Sequence, residues 1–337
     1  MRIAQISTLA SPVREDAFGS VEALIWLLTR ELVRLGHEVT VFGAGGSKTD
    51  GEFVETLPGQ YGEPNSFDDW QLCEWLNMCR AVEQSGRFDV LHSHAYLWGL
   101  PLIPFTKSPM VHTLHIVPDE NLARLWSMYP KGLVTAISRH QWSAHPDLWP
   151  TAIVPHGVDI SRFTFQPKPS DYVCYLGRFT SGKGPKHAIA AARSLGLRLL
   201  LAGPSDPYFR EHVQPLVDGK NVEYIGPVSG ADRTKLLGGA RALLYPIQYA
   251  EAFGLVLVEA MLCGTPIAAI NLGAVPEIVE PGVGGYLASS IDDFAKIIPK
   301  CFELDRARVR QSAEQRFSAE RMARDYVKVY EQVSKSK

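Results

Sequence analysis

The chain has 337 residues, with 34 Lys and Arg against 36 Asp and Glu, so its net charge at pH 7 is close to neutral at −2. This length exceeds what one hydrophobic core usually supports, which predicts two domains, and no apolar run approaches the roughly 20 residues that cross a bilayer. Residues 1–150 carry 11 basic against 17 acidic side chains, which argues against a nucleic-acid groove and against stable membrane association.

The chain opens in a predicted strand, Arg2–Ser7, which leaves no room for a secretory signal peptide and predicts a cytoplasmic protein. The cysteines are odd in number, widely spaced and without a C-x-x-C pair; they are Cys73, Cys79, Cys174, Cys263 and Cys301. This pattern indicates reduced thiols and not a disulfide framework or a zinc site. No Asp-x-Asp pair is present to hold a divalent cation on a diphosphate, so we predict no metal ion.

The first half alternates short β-branched runs with amphipathic stretches. Its clearest helix is Val21–Leu35, which Gly36 ends. The predicted strands are Arg2–Ser7, Val39–Phe42, Asp89–His92, Met110–Leu114, Leu133–Ala136 and Ala152–Val154. Strands that alternate with helices over short linkers predict a parallel sheet covered by helices.

A proline-rich stretch, Pro155–Phe163 with Gln166–Ser170, predicts a linker, after which the alternation restarts. The predicted strands are Tyr172–Leu176, Arg198–Ala202, Asn221–Ile225, Ala242–Tyr245 and Pro266–Ile270, and the predicted helices are Pro185–Ser194, Arg233–Ala240, Gly254–Cys263 and Ser318–Ser334. We predict domains at residues 1–157 and 158–315, followed by a helical segment at 316–337. Two such α/β domains would hold a ligand in the cleft between their strand carboxyl ends.

The most informative segment runs from Glu251 to Glu259, two acids eight positions apart with mostly apolar residues between them. It predicts a buried helix that Glu251 and a Gly-containing turn open, with both acids facing one side over about two turns. The N–H groups of Phe253, Gly254 and Leu255 lie at the predicted helix N-terminus, where phosphate binds well. Acids for hydroxyls and amides for phosphates predict a nucleotide-sugar site; a helix cap with a solvated Glu is the alternative.

Arg178 and Lys183 lie five positions apart between a predicted strand and a predicted helix. Arg grips phosphate oxygens with a planar fork, and Lys acts as a mobile point charge. Both would stabilise the charge that grows on a diphosphate leaving group. The alternative is a solvated turn with two surface cations, which the acidic segment in the same domain disfavours.

The first domain offers candidates where strands end. Gly19 links the first strand to its helix and lets the backbone approach an anion. His94 follows a strand into a loop and His115 ends the next strand, although a single histidine is more often structural. The glycines of 43–46 lack a third glycine that opens a helix, which disfavours a nicotinamide-dinucleotide site.

Together these segments resemble the retaining glycosyltransferases of family 4, whose GT-B architecture has two Rossmann-like doubly wound domains facing each other across a cleft. The Glu251–Glu259 spacing is that family's E-x7-E pattern, and the last helix resembles the family's C-terminal helix, which crosses back toward the first domain. Further matches are Asp89–His94, Val154–Asp159, Gly177-Arg178 with Lys183, Ala202–Pro204 and Gly273–Val279. Two stretches, Gly182–His187 and Leu237–Gln248, resemble a bacterial subgroup in which some members glucosylate small acceptors such as tetrahydrobiopterin.

The resemblance implies a metal-independent, same-face transfer of a hexose to a hydroxyl of a small soluble acceptor, with UDP-glucose as the expected donor and no cofactor. Glu251 is expected at the donor sugar, Glu259 at the ribose and His94 at the reaction centre. The expected phosphate-binding residues are Gly19, Arg178, Lys183, Phe253, Gly254 and Leu255. Donor and acceptor are the expected partners of a monomer or homodimer.

Departures from the family pattern leave alternatives open. Ser20 stands where members often carry a second glycine, which favours a nucleotide-sugar-binding pseudo-enzyme, and His156 replaces the usual Asn of the linker. A GT-B nucleotide-sugar epimerase is another alternative, and the E-x7-E context argues against it. Four tryptophans of the first domain form a candidate surface patch: Trp70, Trp75, Trp98 and Trp126.

Overall fold

The structure is a computed structural model, and it describes residues 1–17, 20–64 and 66–335. The chain divides into two compact units. The first unit is Met1–Gly157 together with Ala319–Lys337, and the second unit is Val158–Ser318.

The first unit contains a parallel sheet of seven strands in the order β3-β2-β1-β4-β5-β6-β7. The strands are β1 Arg2–Ile6, β2 Glu38–Ala44, β3 Glu52–Leu57, β4 Val90–Ser93, β5 Met110–Leu114, β6 Leu133–Ala136 and β7 Ala152–Ile153. The helices between them are α1 Ser20–Arg34, α2 Trp70–Glu83 and α3 Glu120–Met128. Strands β4 and β5 are fully buried and β1 is buried from Ile3 onward, as expected for a sheet that helices cover.

The second unit repeats this plan with a parallel sheet of six strands in the order β10-β9-β8-β11-β12-β13. The strands are β8 Val173–Leu176, β9 Leu199–Ala202, β10 Val222–Tyr224, β11 Leu243–Tyr245, β12 Ile267–Ile270 and β13 Gly285–Ala288. The helices are α4 Pro185–Ser194, α5 Gly230–Gly239, α6 Leu255–Leu262, α7 Val275–Ile278, α8 Ile291–Cys301 and α9 Arg306–Phe317.

Each sheet reverses its strand order once. In the first unit the reversal lies between β1 and β4, and in the second unit it lies between β8 and β11. On the two sides of such a reversal the connecting helices leave in opposite directions, which opens a crevice beyond the strand carboxyl ends. The loops after these four strands are therefore the places where each unit is built to bind a ligand.

The predicted α/β fold with two doubly wound parallel sheets is confirmed. The prediction omitted the edge strands β3 and β13 and the helices α2, α3, α7, α8 and α9. Strand β3 is partly exposed and charged, so its sequence lacks the β-branched run that marks the central strands. Helix α2 exposes Leu72, Trp75 and Leu76, which hides the usual amphipathic pattern.

The last helix, α10 at Ala319–Ser334, belongs to the core of the first unit. Tyr326 and Tyr330 are fully buried among the apolar residues of α1 and the sheet. The Tyr330 hydroxyl lies 2.6 Å from Nδ1 of His92 and accepts from Nε2 of Gln5 at 3.3 Å. None of the helices described here is both long and apolar enough to span a bilayer.

We expect Tyr330→Phe to lower the free energy of unfolding by about 1–3 kcal/mol, because His92 and Gln5 lose a buried hydrogen-bond partner. Urea denaturation measures the change. Tyr326→Phe is the matched control, since Thr113, the partner of Tyr326, keeps two other hydrogen bonds and the loss should be smaller. Equal losses in the two variants would contradict this account of the α10 contacts.

Candidate functional site

The loops that follow β8 and β11 are locked together at the strand-order reversal of the second unit. The N–H of Gln248 donates to the carbonyl of Gly182 at 2.7 Å. A Cβ on Gly182 would lie 2.6 Å from the ring of Tyr249, and a Cβ on Gly184 would collide with the carbonyl oxygen of Pro246. Gly184 also has a φ of +69°, which glycine adopts without strain. The two glycines therefore permit a close approach that fixes the residue between them.

That residue is Lys183, whose Nζ donates to Oε2 of Glu251. The same oxygen accepts from the hydroxyls of Tyr245 at 2.7 Å and Tyr249 at 3.2 Å. Burial alone would raise the pKa of the Glu251 carboxyl, but the Lys183 charge and the three hydrogen bonds outweigh it and hold the pKa below its usual value. Glu251 is therefore a fixed, ionised hydrogen-bond acceptor at neutral pH.

The backbone of Glu251 is fixed from the other side by Gly273. The N–H of Ala274 donates to the Glu251 carbonyl at 2.9 Å. Gly273 has a φ of +64°, and a Cβ there would collide with both the backbone nitrogen and the carbonyl oxygen of Glu251. Any side chain at this position would displace the carboxylate from its three donors.

Helix α6 begins at Leu255, after Gly254 with a φ of 102° and a ψ of 68°. The predicted helix Gly254–Cys263 is confirmed to within one residue at each end. Glu251 lies before the left-handed Gly254 and outside the helix, so the helical spacing that predicted both acids on one side does not apply to it. The predicted burial of the helix is confirmed from Leu257 onward. Phe253 is also buried, with its ring 5.9 Å from that of Phe317. No side chain of the described residues caps α6, so its N-terminal end suits an anion.

Glu259 lies on α6 away from the Lys183–Glu251 pair. Its Oε2 is 2.5 Å from the guanidinium of Arg233 on α5. Burial raises the pKa of the Glu259 carboxyl, and the charges of Arg233 and Arg162 offset part of that rise. Each of the two acids is therefore paired with a different cation, Glu251 with Lys183 and Glu259 with Arg233.

Arg178 occupies the same loop as Lys183 but is exposed. Its backbone carbonyl accepts from the Tyr175 hydroxyl at 2.9 Å, which anchors the loop where β8 ends. Within the described part of the chain, no ion pair or hydrogen bond holds its guanidinium. Arg178 is therefore positioned by its backbone and has a side chain that can turn toward a ligand.

In the first unit, His94 is buried and both of its ring nitrogens are engaged. Nε2 lies 2.7 Å from Oε1 of Gln5, and Nδ1 lies 3.0 Å from Nε2 of His115. Nδ1 of His115 in turn lies 3.5 Å from Nε2 of His156. Burial, and then the neighbouring histidines, hold the pKa of His94 well below its usual value. His94 is thus a neutral ring in a buried network, and its catalytic role stays a prediction. Gly19 lies outside the described residues.

Two buried acids of the first unit were missed by the sequence analysis. Glu22 on α1 accepts from the hydroxyl of Thr8, and Glu74 on α2 accepts from the N–H of Leu9 at 2.8 Å. Both side chains are 2% exposed. Burial raises the pKa of Glu74 to about 7, and the charge of Glu22 adds to this rise. An acid on an otherwise buried helix face is the one sequence signal that marks these residues.

The residues around Glu251 in the second unit were also incompletely predicted. Tyr245 and Tyr249, which donate to Glu251, and Gly273, which fixes its backbone, were not singled out as site residues. Tyr245 ends strand β11 and Tyr249 lies in the loop after it, so position at a strand carboxyl end was the available signal. Arg233, the partner of Glu259, carried no signal beyond its place on a predicted helix.

Two family models match consecutive parts of the chain. "Glycosyltransferase Family 4" matches residues 21–162, and "Glycosyl transferases group 1" matches residues 159–316. The D-inositol 3-phosphate glycosyltransferase of Mycolicibacterium smegmatis is 28% identical, over 91% of this chain and 84% of that protein.

Two solved structures show the same fold over the whole chain. Sucrose-phosphate synthase from Thermosynechococcus elongatus has a TM-score of 0.81 at 20% identity and is covered over 100% of both chains. HepE of Anabaena in complex with UDP-glucose has a TM-score of 0.72 at 20% identity, with 100% of this chain and 99% of that chain covered. The fold is therefore GT-B, as the sequence resemblance implied.

We expect Gly273→Ala to destabilise the protein through two effects. The left-handed backbone costs an alanine about 1–2 kcal/mol, and the collision with Glu251 adds an overpacking cost of about 1–3 kcal/mol. Gly282→Ala is the matched control, since Gly282 has a φ of +79° and open space around its Cβ. Chemical denaturation measures both variants. The same loss of stability in both variants would show that Gly273 does not lie as close to the Glu251 backbone as described.

We expect Glu74 to make stability depend on pH. The folded state binds its proton more tightly than the unfolded state, whose pKa is near 4.5, so the stability present below pH 4.5 is lost as pH rises to about 7. Over this window the loss is on the order of 3 kcal/mol.

Glu74→Gln removes this dependence and keeps an oxygen for the N–H of Leu9. In denaturation experiments this variant should therefore become more stable relative to the wild-type protein as the pH rises from 4.5 to 7. Glu83→Gln, an exposed change on the same helix, is the control. A difference in the free energy of unfolding between variant and wild type that does not change with pH would contradict the prediction.

Proposed function

The chain belongs to the glycosyltransferases of family 4, and we propose that it transfers glucose from UDP-glucose to a hydroxyl of a small acceptor, with retention at the anomeric carbon and without a metal ion or cofactor. The observation that carries this proposal is the Lys183–Glu251 pair at the strand-order reversal of the second unit. The fold shared with HepE in its UDP-glucose complex supports the choice of donor.

The diphosphate would bind where positive charge and free donors meet. Lys183 has three N–H donors. Glu251 takes one and the Tyr249 hydroxyl is within hydrogen-bond reach of a second, so at least one remains for phosphate oxygens. The exposed guanidinium of Arg178 supplies a second cation from the same loop, and the uncapped end of α6 at Gly254 and Leu255 supplies backbone N–H groups. These groups neutralise a diphosphate without a divalent cation and stabilise the charge that grows as it leaves.

Glu251 suits a sugar hydroxyl and not covalent catalysis. Its Oε2 receives three hydrogen bonds, which lower the basicity of the carboxylate and keep it in one orientation. None of these three donors binds Oε1, which is the oxygen we assign to a hydroxyl of the donor sugar. Glu259, further along α6, would accept from the ribose hydroxyls while Arg233 holds its other side.

We propose a same-face reaction. The bond between the anomeric carbon and the diphosphate oxygen breaks as the acceptor oxygen bonds to that carbon on the same side. The proton of the acceptor hydroxyl passes to the departing phosphate oxygen. Lys183 and Arg178 stabilise this leaving group throughout, so their loss should affect turnover more than it affects the fold.

We expect UDP to bind with equal affinity in the presence and absence of a metal chelator. Lys183→Ala should weaken binding by about 1.5–3 kcal/mol, the range for a hydrogen bond to a charged group. Glu259→Ala should weaken it by about 1–3 kcal/mol, through the lost partner of the ribose hydroxyls. Isothermal titration calorimetry measures all of these affinities.

Lys220→Ala is the matched control, because it removes the same charge from an exposed turn before β10, at the amino edge of the same sheet. Its UDP affinity should not change. Retention of full affinity by Lys183→Ala would overturn the site, and tighter binding of GDP or ADP would overturn the choice of base. Conversion of UDP-glucose into a glucoside with inverted configuration would overturn the mechanism.

A further inference from the structure

The strand-order reversal of the first unit, between β1 and β4, carries a group of side chains that the donor site does not use. The loop after β1 and the loop after β4 are joined there, since the N–H of His94 donates to the carbonyl of Ile6 at 2.9 Å. This is the edge where a doubly wound sheet binds its ligand. Its side chains therefore indicate what that ligand is.

Two carboxylates flank the loop after β1. Thr8 donates its hydroxyl to Glu22, and the next residue, Leu9, donates its N–H to Oε1 of Glu74. The second oxygen of Glu74, Oε2, is buried and has no hydrogen-bond partner among the described residues. Within the same residues, neither carboxylate is paired with a Lys or Arg. Burial raises the pKa of both carboxyls, that of Glu74 to about 7, so the crevice offers acceptor oxygens and, above pH 7, the negative charge of Glu74.

Aromatic rings form the adjacent wall. The ring of Trp70, at the start of α2, lies 5.6 Å from that of Trp98 and 6.2 Å from that of Tyr96. Trp70 is 39% exposed, so this apolar surface is open to a ligand. Tyr96, two residues after His94, has a φ of 49°, a strained value for a side chain of this size. Trp126, in contrast, is buried and does not join this surface.

Tyr61 connects the acids to the aromatic wall. Its N–H donates to the carbonyl of Leu9 at 3.3 Å, and its ring packs on Leu9 and Cys73. Burial, and then the charges of Glu74 and Glu22, raise the pKa of its hydroxyl, with a further contribution from Tyr96. The carboxylates, the tyrosine hydroxyl and the rings are thus parts of one site.

We propose that this crevice is the acceptor site and that it takes a neutral or cationic molecule with a flat face and several hydroxyl or amino donors, while it disfavours phosphorylated acceptors. This inference rests on the proposed function, whose acceptor it specifies. The donors of such a molecule satisfy the carboxylate oxygens, and its flat face lies on the exposed rings of Trp70 and its neighbours. A phosphate would instead meet carboxylates that no cation neutralises.

The proposal separates this chain from the relative named for D-inositol 3-phosphate, whose acceptor is anionic. It makes the electrostatic character of the first unit a specificity determinant. The residues that set it are Glu22 and Glu74 for charge and Trp70, Tyr96 and Trp98 for shape.

Matched pairs of probes that differ only by a phosphate test the proposal. The first pair, pyridoxine and pyridoxine 5′-phosphate, is flat and hydroxylated. The second pair, myo-inositol and D-inositol 3-phosphate, is hydroxylated but has no aromatic face. Calorimetry without donor at pH 8, where Glu74 is ionised, measures each affinity, and a UDP titration on the same samples reports separately on the donor site. We expect pyridoxine to bind at least about ten times more tightly than its phosphate, the ratio that a difference of about 1.4 kcal/mol gives. Equal or tighter binding of the phosphorylated probes would overturn the inference, and with normal UDP binding it would leave the proposed function intact.

Two variants separate shape from charge. Trp70→Ala should lose about ten-fold in pyridoxine affinity, whereas Trp149→Ala, which removes a tryptophan that is 77% exposed in the same unit, should not. Glu74→Gln should bring the affinities of the neutral and phosphorylated probes closer together, with Glu120→Gln, a change of an exposed residue at the start of α3, as control. UDP affinity should not change in any of the four variants. Unchanged pyridoxine affinity in Trp70→Ala, or an unchanged ratio in Glu74→Gln, would overturn the role given to that residue and with it the site.

Discussion

The ion pair between Lys183 and Glu251 is the interaction on which the donor site depends. Two half-buried charges are stable here because each compensates the other and two tyrosine hydroxyls complete the shell of Glu251. The pair in turn exists only because Gly184 and Gly273 let three loops approach more closely than a Cβ permits. Backbone shape, more than side-chain chemistry, therefore decides where this carboxylate points and what charge it carries.

The two units use one topology to make sites of opposite electrostatic character. At the reversal of the second unit the loop after β8 carries the cations Lys183 and Arg178. At the reversal of the first unit the carboxyls of Glu22 on α1 and Glu74 on α2 bind the loop after β1. The uneven charge of the sequence, acidic before residue 150 and basic after it, agrees with this division. A strand-order reversal supplies a crevice, and the residues in its loops decide which ligand fits it.

The sequence predicted the parts of the fold that local patterns determine. Strands such as β5 and β6 were predicted to the residue, because short apolar runs that contain Val and Thr mark them. The start of α6 was predicted to within one residue, because Gly254 marks it. The charged residues expected to face the ligand were predicted, but the residues that hold them in place were not. Tertiary contacts bring the tyrosines to Glu251 and the buried acids to Leu9. Such contacts cannot be predicted from the spacing of residues along the chain.

The hydrogen-bond networks also bear on where the acceptor proton goes. His94 is neutral, and its two ring nitrogens are occupied by Gln5 and His115, so neither nitrogen is free to accept a proton in this arrangement. Glu251 is a weak base, because three donors hold its Oε2 and its pKa lies below the usual value. Two side chains that the family resemblance places at the reaction centre are thus both unsuited to general-base catalysis. In the proposed mechanism the base is the departing phosphate, which Lys183 holds and which gains charge as its bond to the sugar breaks. Retention and cationic stabilisation of the leaving group are therefore expected together.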